Sequence, residues 1–479
     1  MVRIELAGQS ARDDSNVSGN PSRLVNLFRE VMVPGGRAQY ALRSVPGMAT
    51  FATTGRVFPR ALAKYNSVAL AICGGHLFQI DELGEVQDLG TLNGDEASGI
   101  DRVGDYAVIV ADGMYYTLMG EVLTAQATGA ISAAGSVTSL GNYALISEAG
   151  GRIVQWSDLA DPTTMSGLNF KSAEITVESI TRLMVAGDVL FVFKPTGFER
   201  WGVTGLAGPD AFARISGSQI DVGLAGYSLI TNMPGGLAFV GNDGRFHLWG
   251  EGLQPVSTPP VEYAIEHSTP ASVFYYSLRG HGFVCLTFTD REAWCFDLAT
   301  GEWHERRQGE GPWTARLAAQ VWGKWNVIGE TGLISQATGL CADFGQPMPR
   351  IATGRPIENG GMRFKLALVE AFTRTGLDRQ TSSDSYYVLA AGDAALSNDD
   401  IRLIGDSGWD SGPASVELRT SRDGLAFGDW KARGVGEKGN FRTRLAWRSL
   451  GQFRTAVLEF RLTTALDIPL MAAVEVEAA

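Results

Sequence analysis

The chain is 479 residues long, 45% hydrophobic and 19% charged, enough to bury a large core in about two to four domains, or in one large repeat domain with a smaller companion. A formal net charge of -12 excludes a general nucleic-acid binder with a basic face, though not a surface past which DNA slides, because like charge keeps phosphates from sticking. The 59 glycines, against 18 prolines, are spread between short apolar runs and point to many tight turns in an all-β protein.

The start, MVRIELAGQSARDDS, has no apolar h-region, and residues 1–50 read as an extended N-terminal arm. No apolar run is long enough to span a bilayer, so no membrane span is expected. From about residue 51 one unit recurs: an apolar strand, a glycine-containing turn and a second strand ending near an aromatic or aliphatic residue. The copies are VALAICGGHLFQI from Val68, YAVIVADGMYYTL from Tyr106, YALISEAGGRIVQW from Tyr143, VLFVFKPTGFERW from Val189, GLAFVGNDGRFHLW from Gly236, FVCLTFTDREAWCF from Phe283 and WNVIGETGLISQ from Trp325. Their starts are 38, 37, 46, 47, 47 and 42 residues apart, near the period of a propeller blade.

Hairpin chemistry sits at the turns: Gly74-Gly75, Asp112-Gly113, Gly150-Gly151, Thr196-Gly197, Asp243-Gly244 and Thr331-Gly332. The first strand of each copy is apolar on both faces, which suits an inner strand packed between neighbouring blades. The second alternates, as in FERWGV and RFHLWG, and reads as lying further out. A lone hairpin cannot bury its apolar face, whereas blades stacked around an axis can. The expectation is therefore a six- or seven-bladed β-propeller over residues 51–350. A terminal copy either sits outside the ring or is completed by a strand from the other end of the chain.

One interruption, STPPVEYAIEHSTP, reads as a short helix: Thr258 as cap, Pro259 and Pro260 in the first turn, and Val261, Ala264 and Ile265 on one face. Past residue 350 the pattern changes. RFKLALVEAFTRTG, SYYVLAAGD, ASVELRTSRDG, FRTRLAWRSLG and TAVLEFRLTT are longer alternating strands, giving a C-terminal β-sandwich-like domain over 351–479. RTGLDRQTSSDS and SNDDIRLIGDSGWDSGP read as loops.

Candidate chemistry is sparse. The histidines are His76, His247, His267, His281 and His304; none has HExxH spacing or a familiar metal-ligand arrangement, and His247 in RFHLW reads as an ordinary strand residue. Cys73, Cys285, Cys295 and Cys341 form no CxxC pair. Cys285 and Cys295 can meet across one hairpin, where two small buried residues are expected. GVGEKG at 434–439 matches GxGxxG by letter, but a strand-like FRTRLAWRSLG follows where a dinucleotide fold needs a helix. GxSxG and Walker motifs do not occur.

TSRDGLAFGDW at 420–430 resembles the Asp-box hairpin of sialidase-type propellers. That keeps a glycan hydrolase or lectin as the alternative function. Asp-box propellers repeat the motif in several blades; here it occurs once, beyond the blade region, and reads as a folding device: Asp423-Gly424 suits a tight hairpin turn, and Ser421 or Asp423 can bond the turn's own backbone. A sialidase also needs converging arginines, and Arg182, Arg200, Arg245 and Arg291 fall in separate blades. Trp156, Trp201, Trp249, Trp294, Trp303, Trp313, Trp322 and Trp325 recur near blade ends and read as inter-blade packing rather than a sugar platform. A WD-repeat scaffold ranks last, because no copy carries the GH…WD signature. Catalytic, cofactor-binding and metal-binding residues are therefore all expected to be none.

Several stretches together resemble the tail-hub (nozzle) protein of short-tailed bacteriophages, the packaged-DNA stabilisation protein family. They are VNLFREV at 25–31, YALRSVPGM at 40–48, KYNSVALAICGGHLFQ at 64–79, VTSLGNYALISEAGGRIVQWSDLADPTT at 137–164, VLFVFKPTGFERWGVTGLAG at 189–208, LQPVSTPPVEYAIEH at 253–267, ELRTSRDGLAFGDWK, and LAWRSLGQFRTAVLEFRLTT. These run in the family's order over nearly the whole chain, with least similarity across 375–412. The resemblance implies a non-enzymatic virion tail protein assembled in the host cytoplasm. It further implies a homo-oligomeric, hexameric ring below the portal and its adaptor (head-to-tail connector) protein. Such a ring would extend the DNA channel, hold a tail needle or plug, and dock tailspikes or tail fibres. Double-stranded DNA would pass through without sequence-specific binding.

Overall fold

All seven hairpin repeats form pairs of adjacent strands. They are Val68–Cys73 with His76–Ile80, Tyr106–Ala111 with Met114–Met119, Tyr143–Glu148 with Ile153–Trp156, Val189–Phe193 with Phe198–Val203, Gly236–Val240 with Phe246–Trp249, His281–Phe288 with Ala293–Asp297, and Lys324–Gly329 with Leu333–Ala337. The computed structural model describes the chain except residues 1, 7, 13–19, 33–37, 95–97, 175, 339–340, 377–413, 438, 465 and 479. The strand expected in SYYVLAAGD and most of the two expected loops lie outside the described residues.

Six of the repeats belong to discrete four-stranded sheets; the other is a meander of Pro270–Leu278, His281–Phe288 and Ala293–Asp297, set between the fifth and last of those sheets. The strands Pro59–Tyr65, Ser98–Val103, Ala134–Leu140, Arg182–Ala186, Ile230–Met233, Pro270–Leu278 and Ala315–Val321 touch one another in that order, and the last touches the first. The result is a β-propeller of six four-stranded blades, with the meander completing the circle.

The sequence repeat is offset by one strand from the structural one. The doubly apolar strand is not the strand nearest the axis but the second, and its burial explains its composition. Leu70 and Ile72 pack toward Ala107 and Ile109 of the second blade, while Ala69, Ala71 and Cys73 pack toward Ile328 of the last. A strand covered on both faces loses its period-two alternation. The Asp112-Gly113 turn has both residues at positive φ, +41° and +89°, as a two-residue hairpin of right-handed twist requires.

The last blade is closed from the other end of the chain. Its fourth strand is Met48–Thr53, which precedes the first blade in sequence. Past that strand, the Thr54 N–H and hydroxyl both donate to the Gly332 carbonyl, at 3.1 and 3.2 Å. The helix forms at Pro259–His267 with Val261 and Ala264 buried, but Thr258 does not cap it through its hydroxyl, and Ile265 is only partly buried. Pro260 has no N–H to offer a side-chain cap, and the N–H of Val261 is taken by the Thr258 carbonyl at 2.9 Å.

The propeller unit comprises Thr50–Ala299 and Pro312–Ala337; a second compact unit gathers Met1–Ala49, Thr300–Gly311 and Thr338–Ala479. One of its sheets runs Leu27–Val31, Tyr40–Ser44, Leu470–Ala478, Phe364–Thr373, Leu445–Phe453, with Val2–Glu5 also on Leu470–Ala478. Strands from the other sheet run Glu302–Gln308, Arg23–Val25, Arg350–Thr353, Thr455–Leu462, Ser415–Ser421, Lys431–Gly434. Leu42, Leu366, Val369, Trp447, Leu418 and Phe460 form its core. The segment read as an extended arm thus contributes paired strands to the sandwich.

Candidate functional site

The TSRDGLAFGDW stretch is a side-chain-wired turn after strand Ser415–Ser421. The Ser421 hydroxyl accepts the Gly424 N–H at 2.9 Å and donates to Asp423 Oδ1 at 2.9 Å. The same Asp423 oxygen accepts the N–H groups of Leu425 and Ala426, both at 2.9 Å. The Ala426 and Leu425 N–H groups and the Ser421 hydroxyl hold the Asp423 carboxyl below the usual range. Any stabilisation from this shift is complete above the ordinary aspartate pKa and lost as pH falls through the lowered folded value.

Beyond the turn, the Arg419 guanidinium lies 4.7 Å from the Phe427 ring centre and 4.3 Å from that of Trp430, and Arg461 lies 4.3 Å from Trp430. Glu459 and Glu417 hold those two arginines, each through an Nε–H bond of 2.6 Å. Every group that made the motif look catalytic is therefore occupied in folding it. Gly424 sits at φ +77°. Gly424→Val is expected to cost about 1–2 kcal/mol, the penalty for a side chain in the left-handed region. Urea denaturation reads it, and an unchanged midpoint would refute the turn assignment.

The other candidates do not converge. Arg182 stacks over Tyr227 at 4.5 Å, Arg200 over Trp249 at 4.9 Å and Arg291 near Phe288 at 5.9 Å, while Arg245 faces Glu262 at 3.5 Å. The tryptophans pack: Trp156 against Phe212 at 5.2 Å, Trp249 against Phe198 at 5.4 Å, Trp313 against Phe274 at 5.4 Å and Trp325 against Tyr275 at 5.6 Å. Trp201 and Trp294 are buried, and Trp322 packs on Phe51 at 5.6 Å. Trp303, on strand Glu302–Gln308, is buried, and its carbonyl accepts the Ser10 N–H at 2.8 Å. Cys285 and Cys295 are buried cross-strand partners, the Cys285 thiol donating to Cys295 Sγ at 2.8 Å. GVGEKG leads into strand Leu445–Phe453, not a helix.

Three histidine–aspartate pairs escaped the sequence reading: His76 with Asp88 at 2.8 Å, His247 with Asp243 at 3.0 Å and His281 with Asp297 at 2.7 Å. In two of them the partners lie on adjacent strands of a meander, so only the register reveals them. His267 stacks on Tyr263, and His304 is buried near Phe28. Among the described residues no group of three or more His, Cys, Asp or Glu side chains is placed to hold a metal ion. An open groove of about 980 Å³ separates the fifth blade from the helix. Two of its acids are engaged, Asp243 by His247 and Glu262 by the Ser257 hydroxyl at 2.9 Å.

Two family models match the chain. Residues 4–333 match "Bacteriophage P22 Gp10, beta-propeller", and residues 386–478 match "Bacteriophage P22 Gp10, beta-sandwich". The chain belongs to the bacteriophage P22 Gp10 family. The expected resemblance to the tail-hub and packaged-DNA stabilisation proteins is thereby borne out, and membership in the Gp10 family makes the protein a phage structural protein of the virion tail. No curated protein matches the chain.

Similar solved structures include the computationally designed Ika8 protein, at 12% identity and TM-score 0.40 over 60% of this chain and 99% of that one. The WD40 propeller domain of Doa1 matches at 12% and 0.41 over 61% and 97%. PorZ of Porphyromonas gingivalis matches at 13% and 0.40 over 67% and 44%. Likeness at this level carries nothing for the Gp10 function.

Proposed function

We propose that this Gp10-family chain is the tail hub, or nozzle, of a short-tailed phage. Six copies form a ring below the portal adaptor, extend the DNA channel, retain packaged DNA behind a needle or plug, and dock tailspikes or fibres. The ring assembles in the host cytoplasm and performs no catalysis. The observation that carries this reading is the succession of Gp10 propeller and Gp10 sandwich matches along one chain. Charge and architecture agree with it. A chain of net charge -12 gives passing duplex few counterion-releasing contacts. A closed propeller is a stiff carrier for partner-binding loops. A ring needs heterologous contacts that close.

The mass of the purified protein, alone and with the portal–adaptor assembly, tests the proposal. A hexamer in either state is expected, and a monomer in both overturns it. The glycan-hydrolase alternative keeps no support in the Asp423 turn, where the carboxylate is spent on its own backbone.

A further inference from the structure

Three arginines converge on one groove of the sandwich unit. Arg363 precedes strand Phe364–Thr373, Arg422 lies in the turn after Ser421, and Arg454 separates strands Leu445–Phe453 and Thr455–Leu462. With Gln452, Phe453 and Thr455 they line about 390 Å³. The register brings them together: Phe364 lies opposite Phe453, Lys365 opposite Gln452, and Ser421 opposite Val457. The Arg422 guanidinium lies 6.0 Å from the ring centre of Phe453, which forms a buried floor.

Other arginines of this unit are neutralised by carboxylates: Arg419 by Glu459, Arg461 by Glu417, Arg444 by Glu370, and Arg29 by Glu5 and Glu302. Among the described residues, Arg363, Arg422 and Arg454 have no such partner. Of the neighbouring acids, Glu358 accepts the hydroxyl of Thr455 at the groove's edge at 3.0 Å, and Asp423 is bound by its own turn. A net-acidic chain thus leaves three guanidinium groups facing one concavity, none of them ion-paired among the described residues.

We propose that this groove binds a compact phosphate monoester, a phosphate carried on a sugar-sized group. Guanidinium forks match phosphate oxygens bidentately, and three of them suit a doubly charged oxyanion. The volume is that of a small-ligand site. Gln452 offers an amide to hydroxyl groups beside the phosphate. Nucleic acid fits poorly: the groove's aromatic ring is buried and gives no stacking platform, and the acidic chain repels an extended polyanion.

Calorimetric titration of the full chain with glucose 6-phosphate, glucose, inorganic phosphate and a short single-stranded oligonucleotide tests this. Glucose 6-phosphate is expected to saturate one site per chain and to bind more tightly than inorganic phosphate, with no binding of glucose. Arg422→Gln and Arg454→Gln should each weaken binding about tenfold or more, the value of a charge-assisted hydrogen bond, with unchanged thermal midpoints. Arg433→Gln, whose guanidinium is held by the Ala446 and Ala432 carbonyls, should bind as the parent does. Absence of saturable binding at millimolar concentration, undiminished binding by both groove variants, equal affinity for inorganic phosphate, or tighter binding of the oligonucleotide would each overturn the proposal.

Discussion

Replacing Gly332 with valine is expected to destabilise the propeller by about 2–5 kcal/mol, through backbone strain and overpacking together. Gly332 sits at φ +74°, and a Cβ there would lie 1.9 Å from the Arg56 carbonyl oxygen and 2.4 Å from the Thr54 hydroxyl. Neither atom is free to retreat. Thr54 is bound to Gly332 itself, and two residues past Arg56 the Phe58 N–H is bound to the Glu330 carbonyl at 3.2 Å. The collision therefore falls on the seam where a strand from before the first blade completes the last. Gly323→Val is the control: its φ is +70°, but no atom lies within 4 Å of the added carbon, so it carries the strain without the collision. Urea midpoints and hydrogen exchange of the Thr54 amide separate the two. Equal losses for both variants would show that the seam contributes nothing beyond backbone conformation.

The repeats were legible because each encodes two signals on the same few residues: a doubly apolar strand and a turn of fixed chemistry. Both are local. What escaped the sequence is non-local. Among the strands nearest the axis, Ser98–Val103 is only partly buried and carries no clear period. Closure by Met48–Thr53 joins segments nearly the whole propeller apart. The arm's place in the sandwich depends on Val2–Glu5 pairing with Leu470–Ala478, where Arg3 meets Glu475 at 3.2 Å. No window of sequence contains both partners.

The same distinction governs the candidate sites. The turn at 420–430 was read correctly as folding chemistry, because Ser421, Asp423 and Gly424 act within a few residues of one another. The three-arginine groove was not read at all. Its members come from three loops that only the strand register gathers, and each alone is an ordinary exposed arginine. The tryptophans lie between these cases. Their recurrence was visible, but the ring each packs on, as Trp156 on Phe212, comes from another part of the chain.

Trp447→Ala should be the most damaging single truncation in the sandwich, at about 3–5 kcal/mol. Trp447 is fully buried on strand Leu445–Phe453 of one sheet, edge-on to Phe460 of the other at 5.6 Å between ring centres. Its indole N–H donates to the Lys431 carbonyl at 2.6 Å, where the chain returns from the 420–430 turn. One side chain therefore fills the space between the sheets and fixes the returning strand. Trp447→Phe separates these roles: it keeps most of the volume and removes the donor, so about 1–3 kcal/mol is expected from the lost hydrogen bond. Denaturant unfolding of both variants reads the difference. If alanine costs no more than phenylalanine, cross-sheet packing is not what Trp447 supplies, and its hydrogen bond to the returning strand is the whole of its contribution.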